Sequence, residues 1–235
     1  MGSHEGNRKS TRRAFIKNCA VVGTGALALV SRTPGSVGTQ NKKEPTTGVR
    51  GEKKPDENPP VRIPDISIRM RSPDSVLVGV ATSDIIQISL ADVLKFHGYC
   101  AGGVAFSSRA AQEAFKILYG DNLPLRQNLK IQTSYHCCQA GALAYITGAR
   151  TDFGAISNRG DLLLLPEAMK KIVFIDKKTG AKAELKPLFN PHDIFAPLFQ
   201  KARSDPSFAP QVHKTLNDAV LEYLSADSEK LFLFA

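Results

Sequence analysis

The sequence predicts a single α+β domain, with a mixed or antiparallel sheet, one β-hairpin and several packed helices. About sixty residues with little to bury precede it. Three observations carry that prediction. Lys171–Ile175, the segment Asp176-Lys177-Lys178-Thr179-Gly180 and Ala181–Leu188 read as strand, tight turn and strand. Helical spacing is concentrated in Val104–Tyr119 and in the final pair His192–Ala202 and Pro210–Leu224, so helices do not alternate regularly with strands. With 42% hydrophobic and 23% charged residues in 235, the chain has the composition of an ordinary globular protein with one substantial core.

The elements follow in order. Residues 1–37 hold six basic residues (Arg8, Lys9, Arg12, Arg13, Lys17 and Arg32) and one acid, Glu5. A mildly apolar run of 12 residues, Cys19–Val30, comes next, ending among small residues at Ala26-Leu27-Ala28. Basic start, short apolar middle and small residues form the layout of a signal peptide. The run falls short of the roughly 20 residues needed to span a bilayer, so no transmembrane segment is expected in the mature protein. The pair Arg12-Arg13, with Phe15 two positions on, resembles the twin-arginine export signal, although Thr11 stands where that pattern prefers Ser. The expectation is a periplasmic or otherwise exported protein. Residues 38–62, with Lys42-Lys43-Glu44-Pro45 and Lys53-Lys54-Pro55-Asp56, read as a flexible linker, leaving 63–235 as the folded domain.

The net charge of +9 shrinks to +4 once residues 1–37 are set aside. No five-residue basic block survives in the remainder, so nucleic acid is not an expected partner. Within the domain, Ser75–Val80 and Asp84–Ile88 are β-branched and read as strands. Ser89 is a good N-cap for a short helix, Leu90–Phe96, with Asp92 in its first turn and Gly98 at its end. Val104–Tyr119 buries one face through Phe106, Ala110, Ala114, Phe115 and Leu118. Leu129–Thr133 alternates as a half-buried strand, Gln139–Ile146 is an apolar buried helix, and Leu162–Leu165 is a further strand.

Chemistry-bearing residues gather in two short stretches, Phe96-His97-Gly98-Tyr99-Cys100-Ala101-Gly102-Gly103 and His136-Cys137-Cys138-Gln139-Ala140-Gly141. Each runs into a helix, and helix N-termini favour thiolate over thiol. Thiolate and neutral imidazole are the ligand forms that borderline metals take. His97 and Cys100 flank a glycine turn and Cys138 reaches them from a neighbouring helix start, a three-donor site suited to zinc. His136 or His192 could supply a fourth donor. Once the signal departs with Cys19, three cysteines remain, an odd count that in an oxidising compartment points to a free thiol, an intermolecular bridge or metal ligation. The alternatives are two. Adjacent Cys137 and Cys138 could form a thiol-redox module, although no Cys-x-x-Cys is present, or the site could belong to a metal-dependent enzyme of unknown substrate.

These two stretches and their spacing resemble the FmdE family, which takes its name from formylmethanofuran dehydrogenase. The first is similar to that family's Phe-His-Gly-His-x-Cys-Pro-Gly segment, with Arg109 following. The second, from Cys138 to Thr147-Gly148, is similar to its Cys followed by Asp-Ala-Ile-Gln and Thr-Gly. The resemblance extends over roughly residues 85–235 and implies that His97, Cys100 and Cys138 occupy metal-site positions. Tyr99 replaces the second His, Gly141 and Ala144 stand for the Asp and Gln, Ala149 for a Cys, and no zinc ribbon follows. The role this implies is a metal-binding or cofactor-binding accessory protein rather than an independent enzyme. Candidate partners are a molybdenum or tungsten oxidoreductase, another cofactor-containing protein, or a second copy of the chain in a homodimer. No hydrolase, zincin or phosphate-loop motif is present. Arg109, Arg150, Asp152 and Asp161 near the motifs are expected in salt bridges or at the surface.

Overall fold

A computed structural model describes residues 61–64, 66–98, 100–134, 137–153 and 158–235, with Cys137 described by its backbone alone. The signal at 1–37, with Arg12 and Arg13, and nearly all of the linker lie outside the described residues. The chain enters the domain at Val61, which packs against the core, and Arg62, whose backbone N–H donates to Asn217 Oδ1 at 2.7 Å.

Two sheets and six helices follow among the described residues. Strand β1 (Ser67–Arg71) pairs antiparallel with β2 (Ile85–Ser89), placing Met70 opposite Ile86. Alternation in β1 sends Ile68 and Met70 inward and leaves Arg69 and Arg71 exposed. Between the strands, the expected strand at Ser75–Val80 is instead helix α1 (Pro73–Leu77) and a turn. Pro73 and Asp74 suit a helical first turn, and Gly79, at φ +74°, reverses the chain back toward β2. The β-branched residues here find no partner strand among the described residues, and Leu77 is 84% exposed. β1 itself, which pairs with β2, falls outside the expected elements.

Helix α2 (Leu90–His97) starts with the expected Ser89 cap, and α3 (Ala101–Tyr119) follows almost at once. α3 is the central helix, packed against the later helices and the large sheet. Phe106, Ala110 and Ala114 on it are fully buried. The large sheet has strand order β4-β3-β5-β6-β7, formed by β3 (Leu129–Ser134), β4 (Leu162–Leu165), β5 (Ile172–Asp176), β6 (Lys182–Pro187) and β7 (Phe232–Phe234). β3 and β4 are parallel, and helix α4 (Cys137–Thr147) lies in the crossover that a parallel pair requires. The other pairings are antiparallel, including the expected β5–β6 hairpin. Leu162, Ile131, Phe174 and Ala183 share one row across four strands, all buried. A large apolar side chain fully removed from water contributes roughly 1.5–3 kcal/mol.

Helices α5 (Pro191–Ser204) and α6 (Ala209–Ser225) close the core, with Phe195, Val220 and Tyr223 buried. The apolar C-terminal segment ends as edge strand β7, with Phe232 1% exposed. The molecule is an α+β domain with a mixed sheet, as the sequence predicts. No helix among the described residues is long and apolar enough to cross a membrane.

Candidate functional site

The site is assembled from three helix ends. Ser89 and Asp92 form a reciprocal cap at the start of α2, Ser89 Oγ accepting from the Asp92 N–H at 3.1 Å and Asp92 Oδ2 from the Ser89 N–H at 3.1 Å. The Ser89 hydroxyl, which also donates to Asp92 Oδ2 at 2.6 Å, and then the Ser89 N–H hold the Asp92 carboxyl below its ordinary pKa. At the other end, Gly98 adopts φ +73°, a left-handed cap that a side chain would strain. His97 is therefore the last residue of α2. Burial pushes its imidazole pKa down and favours the neutral form.

Cys100 is the N-cap of α3, and its Sγ accepts from the Gly103 N–H at 3.3 Å. Cys138 lies in the first turn of α4, and both cysteines carry thiols. The Cys138 side chain hydrogen-bonds to Cys100 and pulls the Cys100 thiol pKa down. Burial opposes this, while the Gly103 and Gly102 N–H groups assist it, and the net shift is downward. Gly103 sits between the sulfurs. A Cβ there would fall 2.8 Å from Cys138 Sγ and 3.4 Å from Cys100 Sγ. A Cβ on the neighbouring Gly102 would run into the Phe195 ring. The paired glycines thus let α3 approach both α4 and α5.

His97 reaches the same helix one turn further along. Its Nδ1 lies 3.3 Å from where a Cβ on Gly141 would stand. Residues 138 and 141 share a helix face, so His97 and Cys138 lie along one side of α4. The imidazole thus packs where a side chain on residue 141 would begin. Below Cys100, the buried Tyr223 belongs to α6. Burial first, then the Glu222 and Cys100 charges, push its phenol pKa up to about 12.

Two arginines finish α4. Arg126 Nε donates to the Ile146 carbonyl at 3.1 Å, and an Arg150 terminal nitrogen donates to the Ala144 carbonyl at 2.8 Å. Cations placed on these carbonyls complement the negative helix end opposite Cys138. The other chargeable residues near the motifs are used structurally. Arg109 pairs with Glu113 at 2.9 Å, Asp161 with Lys177 at 2.6 Å, and exposed Asp152 takes the Thr151 hydroxyl at 3.2 Å.

The structure thus brings Cys100 and Cys138 together and sets His97 beside the same helix. His136 and the Cys137 side chain lie outside the described residues. His192 is exposed on the first turn of α5. Among the described residues, no three His, Cys, Asp or Glu side chains form a group able to hold a metal ion. The donor chemistry still suits a borderline-soft divalent cation, with two sulfurs, one biased toward thiolate, and a neutral imidazole. Sequence reasoning missed the spacing role of Gly102 and Gly103, the contact of Phe195 and the proximity of Tyr223. The adjacent glycines opening a helix were the one local signal for any of these.

No curated protein matches the chain. A solved structure of a tungsten formylmethanofuran dehydrogenase FmdE-like protein from Syntrophus aciditrophicus is 22% identical, over 56% of this chain and 68% of that one, at a TM-score of 0.34. The model of the family described as "FmdE, Molybdenum formylmethanofuran dehydrogenase operon" matches residues 96–233. That span is more than half the chain and takes in His97, Cys100 and Cys138 together, and the chain belongs to the FmdE family.

Proposed function

We propose that this chain is an exported accessory protein of a molybdenum or tungsten oxidoreductase system, holding a divalent metal ion, zinc first among candidates. Cys100, Cys138 and His97 would be its donors, with His136 the candidate fourth. The observation that carries the proposal is the meeting of the Cys100 and Cys138 side chains across Gly103, each at a helix N-terminus. Two sulfurs so arranged provide the anionic, polarizable donors that zinc prefers over oxygen-seeking cations. The family's description, which names a molybdenum formylmethanofuran dehydrogenase operon, supports the oxidoreductase partner. With three protein donors, bound zinc would keep a fourth position for His136 or an external ligand.

The test is metal stoichiometry of the full chain and its serine variants. Cys100→Ser and Cys138→Ser should each lower bound metal to near background, because a three-donor site loses most of its affinity with any one donor. Cys137→Ser should retain most of it, and loss of metal in that variant alone would move the donor to Cys137. Equal metal in the wild type and Cys100→Ser would sink the proposal.

A dithiol is the second reading. The Cys138 to Cys100 hydrogen bond favours that pair as the redox couple, in place of adjacent Cys137 and Cys138. Alkylation separates the readings. Bound metal predicts protection of the thiols that a chelator removes, and a disulfide predicts protection that only a reductant removes.

A further inference from the structure

A cavity of about 600 Å³ opens between the ends of β3 and β6, the turn Glu167–Met169 and the first turn of α5. None of the residues lining it is His97, Cys100 or Cys138. We propose that it binds a small amine of net charge zero or +1 that carries an apolar body and a carbonyl acceptor.

Three features of the lining specify that ligand. Gln139 is only 6% exposed, and its Oε1 accepts from Thr133 Oγ1 at 3.2 Å. Among the described residues, nothing accepts from its Nε2. On a side chain otherwise so enclosed, that amide N–H faces the cavity it lines, and a ligand carbonyl is an acceptor it can reach. The charged side chains lining the cavity are Glu167, Asp193 and Lys170, a net charge of −1 among the described residues. Asp193 accepts from Asn190 Nδ2 at 3.2 Å, and Glu167 has no ion pair among the described residues. This balance favours an amine and disfavours an anion. Leu188 and Ile194, 47% and 45% exposed, border the cavity next to half-buried Phe189. Large aliphatic side chains left uncovered beside a concave site are what the apolar body of a ligand covers, and the volume is ordinary for such sites.

Three probes differ in charge on one apolar body: L-phenylalaninamide, L-phenylalanine and N-acetyl-L-phenylalanine, of charge +1, 0 and −1. Binding to the full chain is read by saturation-transfer NMR and titration calorimetry. Phenylalaninamide should bind about tenfold or more tighter than the N-acetyl anion, with the zwitterion between them. Ile194→Trp, at an exposed position, should fill the mouth and abolish binding. Glu167→Gln combined with Asp193→Asn should keep the site and turn its preference toward the anion, because Lys170 then leaves the lining at +1. Absence of phenylalaninamide binding at about 10 mM would overturn the proposal. So would equal affinity for all three probes, or unchanged binding in Ile194→Trp.

Discussion

At the scale of single residues, the missing side chain of Gly103 decides as much as the sulfurs around it. A Cβ would stand 2.7 Å from Cys138 Cβ and 2.8 Å from its Sγ, so neither the short cysteine side chain nor the helix carrying it can give way cheaply. Gly103→Ala should cost roughly 1–3 kcal/mol as an overpacking change, despite the better helix propensity of alanine. Gly102→Ala should destabilise as well, since its Cβ would strike the fully buried Phe195. Only the first should also change the alkylation rate of Cys100 and Cys138. An unchanged thermal midpoint and unchanged thiol reactivity in Gly103→Ala would show that the helices have slack at this contact.

At the scale of elements, one carboxylate ties the turn of the β5–β6 hairpin to α3 and to the turn before β3. Asp176 is 5% exposed, and it accepts from the Thr179 N–H at 2.7 Å and the Thr179 hydroxyl at 2.9 Å. It also accepts from the Tyr119 hydroxyl at 2.9 Å and Asn128 Nδ2 at 2.7 Å. Burial pushes its pKa up, but the Thr179, Tyr119 and Asn128 donors together outweigh burial and leave it lowered. A carboxyl depressed in the folded state adds stability that is present above its unfolded pKa of about 3.9 and is lost as pH falls through the folded value. Asp176→Asn should therefore cost roughly 1–3 kcal/mol at neutral pH, because an amide meets several of these donors with a donor of its own. The variant should also lose less stability than the wild type between neutral pH and acid below about pH 4. Parallel acid-unfolding curves would remove Asp176 from this role.

Taken whole, the described residues begin already anchored to the domain. Val61 touches the core and the Arg62 backbone is bonded to Asn217 on α6. A chain beginning at Val61 should fold with nearly the full thermal midpoint, and one beginning at Ile66 should be measurably less stable. Failure of the Val61 chain to fold would mean that earlier residues belong to the core. Export is the other property of the whole chain. Replacing both Arg12 and Arg13 by Lys should hold the protein in the cytoplasm with its fold intact, as followed by fractionation and circular dichroism. Normal export of that variant would dismiss the twin-arginine reading.

The elements whose signals are local could be read from the chain alone. Ser89 with Asp92 announced α2, Gly98 its end, and the Asp176–Gly180 turn the hairpin, because caps and turns are chosen by residues a few positions apart. The two cysteine-bearing stretches were legible for the same reason, together with their placement at helix starts. Tertiary structure decided what depends on distant partners. It made Pro73–Leu77 a helix despite its β-branched neighbours, with β1 rather than that segment as the partner of β2. It also chose Cys100 as the partner of Cys138, through close packing of α3 on α4 at Gly103. A pairing across 38 residues of sequence is set by how two helices approach, and no local pattern encodes that distance.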